Sequence, residues 1–159
     1  MSLLNSMHWK LLSFNELSLD ELYELLKLRV DVFVVEQNCP YPELDEKDRL
    51  PQTKHLLGMN QQGELIAYTR ILAAGVSYDE ASIGRVIVAE KGRGHGIAHA
   101  LMQRSINVVK TQWPQTSIQI GAQQHLSDFY QQQGFILNSE MYLEDAIPHI
   151  DMLLNLQNN

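Results

Sequence analysis

The chain has a single cysteine, Cys39, so no intrachain disulfide can brace it. Its six histidines come with no CxxC partner motif, and no structural metal is expected. No run of roughly 18 apolar residues occurs, and no basic stretch followed by an apolar one opens the sequence. A membrane span and a signal peptide are therefore disfavoured, and a cytoplasmic protein is expected. Positive charge is scarce too: a formal net charge of -7 argues against nucleic acid or an anionic membrane as partner. Acid is missing from one long stretch, for no Asp or Glu occurs over 91–127, where Lys91, Arg93, Arg104 and Lys110 form a basic island. It gathers instead in 36–48, as Glu36, Glu43, Asp45, Glu46 and Asp48.

What is present suits one globular domain: 159 residues, 45% hydrophobic and 19% charged. Residues 1–7 carry no pattern and read as a disordered lead or tag remnant, leaving 8–157 as the domain. A short strand is expected over 8–14. Ser18 with Glu21 makes a capping box, and Leu19, Leu22, Leu25, Leu26, Val30 and Phe33 recur at helical spacing to about Val35. Three of the five prolines, Pro40, Pro42 and Pro51, fall within 36–53 and predict a long, functional loop. Residues 54–59 and 64–73 read as a hairpin, and 81–89 as a strand that is apolar on both faces at Val86-Ile87-Val88. A helix from Ile97 stops before Trp113-Pro114, followed by a strand over 117–122. A short helix over 126–133, closed by Gly134, and strands over 135–143 and 149–154 complete the chain. The class is α/β (α+β): a mixed, mostly antiparallel sheet of about seven strands flanked by helices.

Gly92, Gly94 and Gly96 sit between strand and helix, where a backbone free of Cβ atoms can turn its N–H groups toward a phosphate. A Walker loop needs Lys followed by Ser or Thr after the last glycine, and here Ile97-Ala98 follows. A dinucleotide fingerprint needs a third glycine or alanine where His99 stands. What fits is Arg93-x-x-Gly96-x-Ala98, which resembles the Arg/Gln-x-x-Gly-x-Gly/Ala signature of the Gcn5-related N-acetyltransferase (GNAT) superfamily. Val86-Ile87-Val88 before the loop and Tyr130-x-x-x-Gly134-Phe135 after it resemble further elements of that superfamily. Leu28-Arg29, Val32-Phe33-Val34-Val35-Glu36-Gln37, Tyr41-Pro42-Glu43-Leu44-Asp45 and Ile147-Pro148-His149 are similar to its ElaA-type branch.

The resemblance implies the acyl-CoA N-acyltransferase (GNAT) fold, with the fourth strand splayed from the fifth. It places Val86, Ile87 and Val88 along the pantetheine arm of acetyl-CoA, the co-substrate. Backbone N–H groups of Gly94, His95, Gly96, Ile97, Ala98 and His99 surround the pyrophosphate, with Arg93 near it. Gln123 stands where the superfamily often has an asparagine that bonds the cofactor arm. Tyr130 matches the tyrosine beside the cofactor sulfur and is the proton donor to the leaving thiolate. The general base stays open among Glu36, Asp45 and His55, since Ile83, Gly84 and Arg85 fill the strand position where some members carry an acid. Glu36 and Asp45 are also substrate candidates, the acidic segment steering a cationic amine.

The implied activity is acetyl transfer to a small-molecule or peptide primary amine by direct attack in a ternary complex. Cys39 in the proline-rich loop carries no covalent step. The alternative is a non-catalytic acyl-CoA-binding regulatory module. Oligomeric state is open between monomer and homodimer, with the apolar strand over 150–154 a face that could pair across a dimer.

Overall fold

Ser18 starts the first helix as its spacing to Glu21 predicts. Its hydroxyl accepts from the Glu21 N–H at 3.0 Å, and the Glu21 carboxylate accepts from the Ser18 N–H at 2.9 Å. In the computed structural model, which describes residues 2–156, this helix α1 spans Leu19–Arg29. Leu25 is fully buried against Leu57, Tyr68 and Ile87. Leu19, expected in the packed stripe, is 86% exposed, because packing begins a turn later. The α-helix also ends earlier than expected, giving way to a π-helix over Val30–Glu36. Bonds of the i to i−5 type, Gln37 N–H to Val32 and Cys39 N–H to Val34, mark the wider turn. Val30, Val32, Val34 and Val35, all β-branched, crowd the tighter α turn.

Strands β1 (His8–Leu12), β2 (Lys54–Met59), β3 (Leu65–Leu72) and β4 (Ser82–Val88) form an antiparallel sheet in chain order. In a second sheet β8 (Ile147–Leu154) is central, with β5 (Ile118–Gln123) on one side and β6 (Ile136–Leu137) and β7 (Tyr142–Glu144) on the other. There are thus eight strands where about seven were expected. The predicted strand over 135–143 is broken because the Ser139 hydroxyl, not a backbone carbonyl, takes the Asp151 N–H at 2.9 Å. The stretch over 150–154, read from the sequence as a face that could pair across a dimer, already has strand neighbours on both sides within the chain.

Helix α2 (Ile97–Gln112) joins the sheets, burying Ile97, Leu101, Met102, Ile106 and Val109 in a core shared with Ile66, Ile83, Ile118, Ile120 and Met152. Helix α3 (Ser127–Gln132) follows β5 and is closed by Gly134 at φ +104°. Residues 2–7 differ from the disordered lead expected of them. Leu4–Ser6 form a 3₁₀ turn, Leu3 and Leu4 pack on the core, and Met7 is buried. Met7 and Trp9 crowd Gly58 so closely that a Cβ there would stand 2.7 Å from Met7 Cε. Met1 and Gln157, the outer ends of the lead and domain expected from the sequence, lie outside the described residues. No helix among those residues is long and apolar enough to cross a membrane.

Candidate active site

The two sheets touch through a single parallel bridge. Ala81 donates to the Ser117 carbonyl at 3.1 Å, Gln119 donates to that of Ala81 at 2.9 Å, and beyond this point β4 and β5 share no ladder among the described residues. The strands therefore part toward Val88 and Gln123. One wall of the slot is bent. Tyr68 pairs with Ile87 and Arg70 with Gly84, so Arg85 and Val86 together face Thr69 alone. This is a β-bulge, with Arg85 at φ +53°. Ile87 turns its side chain into the α1 face of the sheet, while Val86 and Val88 stay partly exposed along the slot.

After β4 a 3₁₀ turn over Glu90–Gly92 leads into the glycine loop. Gly94 (φ +86°) and Gly96 (φ +75°) adopt the left-handed conformation, Gly96 as N-cap of α2. No protein atom comes within 4 Å of where a Cβ would stand at either glycine, so the concave side of the loop is open. The first turn of α2 has no acidic residue, and the backbone N–H groups of Gly94, His95, Gly96, Ile97, Ala98 and His99 have no hydrogen-bond partner among the described residues. Six donors at the positive end of a 16-residue helix suit a pyrophosphate. The Ile97 side chain is buried in the core, so only its backbone faces the loop. His99 is held from the side: Gln103 donates to Gln133, which donates to His99 Nδ1 at 3.0 Å. His95 and His99 stand four residues apart, yet among the described residues no group of three or more His, Cys, Asp or Glu could hold a metal ion.

The basic island is weaker than its composition suggests. Lys91 is paired with Glu64, Arg104 stacks on Trp9 at 4.7 Å, and Arg93 reaches Glu36 at 3.1 Å while its Nε donates to the Val88 carbonyl at 3.0 Å. What the loop offers an anion is therefore mainly its backbone donors. Glu36, expected on the acceptor side, thus bonds the cofactor loop, and its neighbour Gln37 accepts from Gln123 at 3.2 Å across the slot.

Tyr130 is buried on α3, edge-to-face with Phe129 and Phe135. Burial pushes its phenol up to about 12, which keeps the proton on at neutral pH. Its hydroxyl makes no hydrogen bond among the described residues, and its oxygen, unlike its ring, is not sealed from solvent. A phenol whose oxygen is accessible and spends no proton on the fold is free to give one to a ligand.

The acidic segment turns out to be neutralised. Glu43 and Asp48, both buried, meet Arg29, which is fully buried at the end of α1, at 3.0 and 2.6 Å. Asp45 forms a two-pronged pair with Arg70 at 2.8 and 2.9 Å, and Arg85 bonds Glu43 at 2.6 and 2.8 Å. Tyr41 donates to Glu43 at 2.5 Å. Three arginines from α1, β3 and β4 balance three carboxylates. Burial opposes ionisation of Asp45, but Arg70 beside it holds its carboxyl down to about 2. Burial also opposes that of Asp48, and Arg29 and Arg70 outweigh it, leaving its pKa lowered. Among buried side-chain atoms described, Arg70 Nε alone has no partner.

His55, a candidate base, lies inside this network. Its Nε2 donates to the Asp48 carbonyl at 3.0 Å, which leaves Nδ1 to accept from the Tyr68 hydroxyl at 2.6 Å. Burial lowers its pKa, but both nitrogens are committed and it is a structural histidine.

A different, uncompensated carboxylate lies on the polar face of the second sheet. Tyr142 donates to Asp151 at 2.6 Å over the exposed Gly121, where a Cβ would stand 2.9 Å from the Tyr78 hydroxyl and 3.0 Å from that of Tyr142. Burial and the Asp151 charge push the Tyr78 phenol up to about 12, with Glu144 adding to the same field. Sequence reasoning missed Tyr78, Asp151, Arg29 and Arg85; only Arg29 stood in a quoted motif, and there without a role.

A bulged strand splayed from its parallel neighbour and a loop of unpaired backbone N–H groups suit an acyl-CoA ligand. The Acetyltransferase (GNAT) domain family matches residues 29–156, and the chain belongs to this family. It is similar to Protein ElaA of Escherichia coli, 46% identical over 144 residues that cover 91% of this chain and 94% of that protein. The crystal structure of Escherichia coli ElaA superposes with TM-score 0.88 at 44% identity, over 94% of this chain and 99% of that one. An acyl-CoA N-acyltransferase from Pseudomonas aeruginosa gives 0.89 at 41% identity, over 94% and 100%. The fold is the acyl-CoA N-acyltransferase fold of that family.

Proposed function

We propose that the protein is an N-acetyltransferase that moves the acetyl group of acetyl-CoA onto a primary amine in a ternary complex. The observation that carries this reading is the unpaired, protonated Tyr130 phenol in a protein whose β4–β5 slot and glycine loop suit an acyl-CoA. Bound acyl-CoA supplies an activated thioester. The N–H groups of the glycine loop hold the pyrophosphate, and the free backbone edge of β4 takes the arm. Nitrogen forms a bond to the thioester carbon as the carbon–sulfur bond breaks. Tyr130 gives its proton to the departing sulfur and regains one from solvent, while the acceptor nitrogen sheds its own to water.

The charge balance of the acidic loop moves the expected acceptor side. Asp45 is spent on Arg70 and Glu36 on Arg93, whereas Asp151 and Glu144 have no Lys or Arg partner. A cationic amine is favoured at the Tyr78–Tyr142–Asp151 face rather than at the loop.

The test is thiol release from acetyl-CoA with a pool of primary amines, with products read by mass spectrometry. Tyr130→Phe lowers kcat by about 100-fold. It leaves CoA binding and the melting temperature near wild type, since the hydroxyl makes no bond in the fold. CoA binding without turnover of any amine supports the binding-module alternative, and a fully active Tyr130→Phe removes the assigned proton donor.

A further inference from the structure

Arg29, Tyr41, Glu43 and Asp45 meet beside a point in the slot wall whose shape the transfer chemistry does not itself explain. That point is the β4 bulge. Arg85 adopts a left-handed backbone (φ +53°) that disfavours any residue bearing a Cβ, and Gly84 beside it is not the residue at the turn. Something must hold an arginine there.

Its side chain shows what. Arg85 Nε bonds both carboxylate oxygens of Glu43, and its Nη2 reaches the Glu43 carbonyl at 3.2 Å and Asp45 at 3.4 Å. Glu43 is itself fixed by Arg29 Nε and the Tyr41 hydroxyl, and Arg29 is anchored to Asp48. Rigid links thus run from the end of α1 through Glu43 to the one residue whose backbone bends β4. The same segment touches the slot twice more, through Glu36 to Arg93 and Gln37 to Gln123.

We propose that Glu43 is a positioning residue that clamps Arg85 in its left-handed conformation and thereby keeps the β4 wall of the slot bulged. This deepens the acyl-CoA reading and rests on it for its effect on affinity, though the clamp itself is a property of the free protein. Glu43 touches neither substrate. It acts through the backbone of Arg85, and glycine at position 85 makes the clamp redundant because glycine holds a positive φ unaided.

The experiment compares Arg85→Gly, Arg85→Ala, Glu43→Gln and the double variant Glu43→Gln/Arg85→Gly. CoA affinity is measured by calorimetry, and amide hydrogen exchange over 84–88 reads the bulge with no ligand. Arg85→Gly binds CoA within twofold of wild type, and Arg85→Ala binds at least fivefold more weakly. Glu43→Gln weakens binding at least fivefold in the arginine background and under twofold in the glycine background. Exchange over 84–88 rises in Arg85→Ala and Glu43→Gln alone. Equal losses in both backgrounds, or equal binding by Arg85→Ala and Arg85→Gly, overturn the proposal. If Glu43→Gln does not fold, the Arg85 pair decides, since that side chain is partly exposed and its loss leaves Glu43 bonded to Arg29 and Tyr41. Failure of the wild type to bind CoA refutes the acyl-CoA reading, and the exchange data still accept or reject the clamp.

Discussion

Asp48→Asn is the sharpest probe of the arginine–carboxylate network. The Asp48 side chain is 6% exposed, Arg29 fully buried and Arg70 4% exposed, so solvent screens none of the three appreciably. The substitution keeps size, but it replaces one of the two accepting oxygens with an NH2 that can only donate, and it leaves three arginines facing two carboxylates. Breaking a buried pair from one side leaves an uncompensated charge and costs about 3–5 kcal/mol. At about 2–4 °C per kcal/mol for a chain of this size, the melting temperature falls by roughly 6–20 °C. Glu46→Gln, which breaks an exposed pair with Arg49, costs under about 1 kcal/mol. Urea denaturation of both variants, with the slope checked against wild type, supplies the comparison. If Asp48→Asn costs no more than Glu46→Gln, burial of the network is not what makes it matter.

Two further outcomes follow from the geometry. Gly96→Ala, at φ +75°, loses about 1–2 kcal/mol and weakens CoA binding, whereas Gly63→Ala, at φ +80° in the β2–β3 turn, loses a similar amount and binds CoA as before; calorimetry and melting curves separate the two. Stability also falls in acid in two stages. Burial depresses the His55 pKa, so below about 6.5 the unfolded chain takes up a proton that the native state refuses. From 3.8 toward about 2 the Asp45 carboxylate is lost, at a cost of about 2 kcal/mol. Denaturant midpoints between pH 8 and about pH 2 read both stages, and a midpoint that rises on acidification contradicts the assignment.

Features written locally were legible in the chain. The Ser18–Glu21 cap, the stop before Trp113-Pro114 and the glycines at 94 and 96 depend on residues a few positions apart, and each stands where its spacing puts it. Charge pairing was not legible, because Arg29 meets its carboxylates 14 and 19 residues away and Arg85 meets Glu43 across 42. Read along the chain the loop is acidic; read in space it is neutral. The same distance hid the break in the strand over 135–143, which depends on where Ser139 falls against β8. Tyr130 was legible as a residue, but only its surroundings reveal that its hydroxyl is unspent.

The single bridge at Ala81 has a consequence for how substrate range can change. Among the described residues two backbone hydrogen bonds tie one sheet to the other along that seam, and Met102, Ile118 and Ile83 belong to the core that both sheets share. A methylene gained or lost in so tightly packed a core is expected to shift the strands that pack on it. On the acyl-CoA reading proposed above, substitutions in the hydrophobic interior, and not only in the lining of the slot, are expected to shift acyl-chain preference.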